Sequence, residues 1–208
     1  MSPIISLIIT STLALSATPT TATSLPAPQA AADYTMGFIG CSMAENVAQG
    51  YASTGGRRMW GPYGTGALVV QSWTDPNSAA WQKFDTQAAR YGKPTSVLGA
   101  DLHLRVPGRH LRRSRGARRQ RARAHAATNA TIYLTGQPLY DAGQYCFLAG
   151  QGGAELTDGL ARRAGNDSAL GVVYPGSFLL HVAEVQDGCH ANAMGQQSLG
   201  RQAMAFWG

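Results

Sequence analysis

"FIGCSMAENVAQGY", residues 38–51, is the stretch on which the fold turns. The apolar run from Tyr34 to Gly40 ends in glycine and reads as a first strand. "MAENVAQGYA" (43–52) follows as a helix with Gly50 close to its end. Ser42 falls at the turn between them. A hydroxyl there stands above the sheet edge, and its own N–H belongs to an opening helix turn. Unpaired donors and the helix dipole at such a turn favour a developing oxyanion. A serine that merely caps the helix would occupy the same position.

Working outward, "WGPYGTG" (60–66) is a glycine-rich loop, and "ALVVQSW" (67–73) is a strand or the edge of the core. Asp75-Pro76-Asn77 supplies helix start signals. Trp81, Phe84, Ala88 and Tyr91 recur at helical spacing, and Gly92 and Pro94 stop the run. "TSVL" (95–98) begins a buried strand, and "ATIYLTGQP" (130–138) is β-rich. "GGAELTDGLARRAG" (152–165) is a helix, "LGVVYPG" (170–176) a strand, and "NAMGQQSLGRQAMAFW" (192–207) a closing helix. Strands alternating with helices imply an α/β fold with a parallel sheet covered on both faces, and chemistry gathered at the strands' carboxyl ends.

The net charge of +6 is misleading as an average. Residues 101–125 hold nine of the 17 basic residues and one of the 11 acidic ones, a local +8, so the remainder carries eight basic against ten acidic residues, −2. The basicity is one block and says nothing about the partners of the main fold. Residues 99–127, "GADLHLRVPGRHLRRSRGARRQRARAHAA", admit three readings. A polyanion-binding arm would use the charge on phosphate or sulfate, but the block has no aromatic residue for stacking, and no nucleic-acid partner is expected. A natural charged insertion would be an unusually long loop inside a compact domain. The third reading is a shifted reading frame. GC-rich coding DNA read out of frame yields this Arg, Ala, Gly, Pro and His composition. Allowed codons for Ala100 to Ser114, moved by one base, spell an apolar strand with a cysteine, a loop and an acidic helix start. Burying Asp101, His103 and Arg105 in a central strand would cost several kcal/mol each, so residues 100–127 are expected outside the core and the chain to be poorly stable.

"IISLIITSTLALSA" (4–17), followed by small and polar residues, reads as a signal peptide over about residues 1–22, with a linker at 23–33 and one domain at 34–208 that the 99–127 segment interrupts. A buried first strand is the other reading of that run. Export implies a secreted, extracellular chain with no membrane contact after cleavage. The sequons at Asn129 and Asn166 agree with it. No spacing of Cys and His makes a zinc site.

The second motif is "DGCHANAMGQQSLG", residues 187–200. Asp-x-x-His lets the Asp187 carboxylate hold one ring nitrogen of His190 while the other faces outward as a general base. A surface acid–histidine pair is the plainer alternative.

Together, "GCSMAENVAQGY" and "DGCHANAMGQQSLG" resemble the first and last conserved blocks of the SGNH (GDSL-like) hydrolases. The resemblance implies a three-layer α/β/α sandwich of flavodoxin-like type and an esterase using Ser42 as nucleophile, His190 as base and Asp187 as its orienter. It also implies an oxyanion hole from the Ser42 N–H with Gly64 or Gly66, and no cofactor or metal. The family's Gly-Asp-Ser is Gly40-Cys41-Ser42 here. The family's oxyanion asparagine should follow the third strand, where the arginine block stands, and Asn129 is a poor substitute.

The substrate class is then a small-molecule or carbohydrate ester. The rival is a catalytically impaired protein of that fold, or a secreted polyanion binder using the arginines. A Cys146–Cys189 disulfide would tie the loop after "TIYLT" to the His190 turn and leave Cys41 over; three buried thiols are the alternative. Trp60, Tyr63 and Trp73 suit core packing better than a sugar platform. Oligomeric state is not encoded legibly. The coding DNA tests the frame reading: an apolar strand should emerge at 100–114 in another frame, and its absence from both would rule the shift out.

Overall fold

The computed structural model describes residues 33–208 apart from 69, 101–124 and 128. The expected signal peptide, nearly all of the linker and the body of the arginine block therefore lie outside the described residues. Three parallel strands form the sheet: β1 (Met36–Ile39), β2 (Ser96–Gly99) and β3 (Thr131–Leu134), in that order. Met36 pairs with Ser96 and Ser96 with Thr131; Ile39 pairs with Gly99 and Gly99 with Leu134. Isolated parallel bridges extend the order at both edges, Met59 beside Met36 and Val173 beside Tyr133. β4 (Leu139–Tyr140) and β5 (Leu179–Leu180) make a separate short parallel pair.

All four residues of β1 and all four of β2 are buried. Successive side chains point to opposite faces, so this burial means both faces of the sheet are covered. The helices are α1 (Ser42–Ser53), α2 (Ala79–Tyr91), α3 (Gly153–Gly165) and α4 (Ala193–Trp207), with 3-10 turns at Val70–Trp73 and Val182–Glu184. The fold is thus mixed α/β with a small parallel sheet and four helices among the described residues.

Aromatic packing anchors α2. Trp60, Trp73, Trp81 and Phe84 are buried, with Trp73 edge-on to Trp81 at 5.1 Å and Trp60 tilted on Phe84 at 4.9 Å. Gly37 on β1 makes room for them: a Cβ there would lie 3.0 Å from both Phe84 and Trp60. Trp60 and Trp73 are therefore core residues and no sugar-facing platform.

Two expectations need correction, while "ALVVQSW" takes the second of its two readings, the edge of the core, and ends in the 3-10 turn Val70–Trp73 with Trp73 buried. The turn lets the Trp73 indole N–H reach the carbonyl of Gly40 at 2.8 Å, and that bond with its ring packing outweighs local β propensity. "LGVVYPG" contributes only the bridge at Val173, whose N–H donates to Ile132 and whose carbonyl accepts from Leu134, each at 2.9 Å. Gly171 lies at φ 53°, and Pro175, lacking an N–H, cannot continue a ladder.

The 100–127 segment is not outside the core at its ends. Ala100 and Ala126 are buried, the Ala100 N–H continues the ladder to Ile39 at 3.0 Å, and the His125 ring stacks on Trp81 at 4.5 Å. Small residues at both margins allow that packing without burying a lone charge. Asn129 and Asn166 are exposed.

α1 and α4 meet backbone to backbone. A Cβ on Gly50 would lie 1.8 Å from the Gln196 carbonyl oxygen, and one on Gly200 would lie 2.1 Å from the Gly50 oxygen. No side-chain rotation relieves a clash with a carbonyl. Gly50→Ala should therefore cost about 1–3 kcal/mol through overpacking, or roughly 2–4 °C of Tm per kcal/mol, in a thermal melt. An unchanged Tm would show that the helices part freely.

Candidate active site

Ser42 is the first residue of α1. Cys41 is the N-cap and makes no side-chain cap bond. The Ser42 hydroxyl is thus released from helix capping and lies 2.7 Å from Nε2 of His190. Gly40, one residue before the cap, permits the tight exit from β1, since a Cβ there would sit 2.2 Å from the Ala100 oxygen.

The other half of the site is the turn Asp187-Gly188-Cys189-His190. Asp187 has φ 28° and Gly188 φ 73°, a left-handed pair that folds the carboxylate back over the following residues. Asp187 Oδ1 accepts from the backbone N–H of His190 at 2.9 Å and of Cys189 at 3.1 Å, while Oδ2 lies 2.8 Å from His190 Nδ1. The His190 backbone bond and then its side-chain bond hold the carboxyl below the usual aspartate range. An ionised carboxylate can only accept, so Nδ1 carries a proton, and in the neutral ring the Nε2 lone pair faces the Ser42 hydroxyl. The structure thus joins Ser42, His190 and Asp187 in one hydrogen-bonded chain. Ser42 and His190 are half-buried and Asp187 is exposed.

Three connections hold the turn in place. Cys146 and Cys189 form a disulfide, with Cα atoms 4.2 Å apart and both residues buried. Cys41 lies outside this bridge, also buried. The Tyr140 hydroxyl donates to the Cys189 carbonyl at 2.8 Å. Asn192 caps α4, accepting from the N–H groups of Met194 and Gly195 at 2.9 and 3.0 Å.

Two residues without a motif of their own complete the site. The buried Asn46 takes the Ala191 N–H on Oδ1 at 3.2 Å and so clamps the chain just past His190 to α1. Glu45 Oε1 accepts from Tyr63 N–H at 3.2 Å and Thr65 N–H at 2.5 Å, tying the glycine loop to the same helix. Their spacing of three and four residues from Ser42 places all three on one helix face, which is the signal that could have singled them out.

Gly64 and Gly66 are exposed on that loop, Gly64 at φ 81° with its carbonyl accepting from Lys83. Thr65 between them is buried, and its hydroxyl donates to the Cys41 carbonyl at 3.3 Å, so the loop lies against the serine turn. A further oxyanion donor within 101–124 would fall outside the described residues. Among the described residues no group of three or more His, Cys, Asp or Glu could hold a metal ion, and no helix is long and apolar enough to cross a membrane.

No family model, curated protein or solved structure matches this chain. Glu45→Ala removes the carboxylate oxygen that accepts from both the Tyr63 and the Thr65 N–H groups. Amide hydrogen exchange at Tyr63 and Thr65 should then accelerate about tenfold or more, while β1 amides keep their protection. Unchanged exchange at 63 and 65 would show that the loop is held by other means.

Proposed function

We propose that the chain is a secreted serine esterase of the SGNH type that hydrolyses carboxylic esters with Ser42, His190 and Asp187. The observation that carries this reading is the continuous Ser42–His190–Asp187 hydrogen-bond chain, assembled from residues 148 positions apart. Helix capping explains neither the direction of the serine hydroxyl nor the carboxylate that turns back onto the imidazole.

In the proposed reaction His190 Nε2 takes the Ser42 proton as Oγ bonds to the ester carbonyl carbon. The oxyanion is received by the Ser42 N–H in the opening turn of α1 and by the N–H of Gly64 or Gly66. Collapse breaks the ester C–O bond, and the imidazolium returns its proton to the departing alcohol. Water then attacks the acyl-serine, His190 accepts the water's proton and passes it to Ser42 Oγ, and the carboxylic acid leaves. Asp187 stays ionised throughout and fixes the ring.

The sheet supports a flavodoxin-like, three-layer reading. With its bridges the parallel order runs Met59, β1, β2, β3, Val173, equivalent to 2-1-3-4-5 in chain order. Ser42 follows the carboxyl end of β1, where ligands sit in such sheets. The buried disulfide fits an oxidising compartment and hence export.

Short-chain p-nitrophenyl esters test the proposal. Wild-type protein should release p-nitrophenol, and Ser42→Ala should lower kcat by a factor on the order of 10⁴ or more, with an unchanged circular dichroism spectrum. Equal rates for the two proteins would remove the esterase reading.

A further inference from the structure

We infer that the substrate carries an apolar acyl chain of several carbons, received by a hydrophobic rim that the disulfide fixes beside His190. This rests on the esterase reading above and names the substrate class of the same site. Tyr145, Phe147 and Leu148 are 50, 60 and 42% exposed, although Cys146 among them is 1% exposed. A buried anchor with large apolar neighbours on both sides is costly in water unless something covers those neighbours in use. The anchor is bonded to Cys189, the residue that precedes His190, so the strip is covalently held one residue from the imidazole.

Met194 stands four residues past His190, in the first turn of α4, and is 53% exposed. Among the described residues eight large apolar side chains are exposed, and these four belong to the two segments that bracket His190. The rim is Phe, Leu, Met and the ring of Tyr145. A sugar would ask for convergent hydrogen-bond donors and acceptors; this surface offers methylene and ring carbon. Its covalent tie to the residue before His190, with Met194 in the first turn of α4, makes the acyl chain the occupant that fits.

The test is a series of p-nitrophenyl esters from acetate to hexanoate, kept monomeric in solution, with wild type, Phe147→Ser/Leu148→Ser, Met194→Gln and the control Leu156→Ser. Leu156 is 50% exposed on α3 and belongs to neither segment. Wild-type kcat/KM should rise about two- to fourfold per added methylene. The double variant and Met194→Gln should each flatten that slope, and the control should keep it. Acetate hydrolysis with a flat or falling chain-length profile, or an unaltered slope in both rim variants, would overturn the inference and leave the esterase reading standing. Wild type no faster than Ser42→Ala on every ester would remove both. Should the double variant fail to fold, Met194→Gln still decides.

Discussion

Two helices in backbone contact set the position of everything near Ser42. Gly50 lies eight residues into the chain from Ser42, and Gly200 lies ten beyond His190. At 1.5 Å per residue, about 12 Å of α1 separates Ser42 from the crossing. A hydrogen bond tolerates only a few tenths of an ångström, so a small change in the helix crossing would be magnified at the site. Carbonyl oxygens of Gln196 and Gly50 occupy the volumes that side chains would fill at Gly50 and Gly200. The contact therefore fixes the approach of α4 to α1 by hard repulsion, which varies far less with conditions than polar contacts do. Asn46 adds a second fixed point between the crossing and the site, where its amide holds the Ala191 N–H.

Local bonds then orient what the crossing brings near, and two aspartates show how differently such bonds can serve. Asp158 is buried on α3, with Oδ1 accepting from the Tyr174 hydroxyl at 2.7 Å and the Ser177 hydroxyl at 2.9 Å, and Oδ2 from Arg162 at 2.8 Å. Its bonds join α3 to the segment entering β5 and leave nothing facing outward. Asp187 spends its bonds on one turn, and the chain it starts ends at a half-buried hydroxyl that a solute can reach. The first arrangement holds elements together; the second aims a group.

How much was legible follows from the range of each interaction. The β1–α1 turn and the Asp187–His190 turn rest on contacts between near neighbours, so residue order alone reveals them. α2, α3 and α4 were readable for the same reason. The 3-10 turn at Val70–Trp73 was not, because its cause is a bond from Trp73 to Gly40, 33 residues away. "LGVVYPG" has strand composition, yet the chain around Gly171 and Pro175 leaves room for one bridge only. Glu45 and Asn46 carry no signal of their own because polar residues in helices are common, and only their partners at 63, 65 and 191 give them meaning. The arginine block has composition but no periodicity, so only its charge could be read, and its margins alone, Ala100 and His125–Ala127, have a described place in the fold.

Exposure of the acid decides what Asp187 can contribute in the proposed reaction. Its side chain is 50% exposed, and water around it weakens any Coulombic attraction to an imidazolium. Geometry is less affected, because three hydrogen bonds, two of them from backbone N–H groups, set the carboxylate before a substrate arrives. The carboxylate then dictates which ring nitrogen keeps its proton, and with it which lone pair faces Ser42. Its main contribution is thus the tautomer and orientation of His190, with charge stabilisation second. A site so open at the acid has little enclosure of its own, so selectivity has to come from surfaces beside the reacting atoms. In the proposal that surface is the exposed strip of Tyr145, Phe147 and Leu148, whose Cys146 is bonded to Cys189.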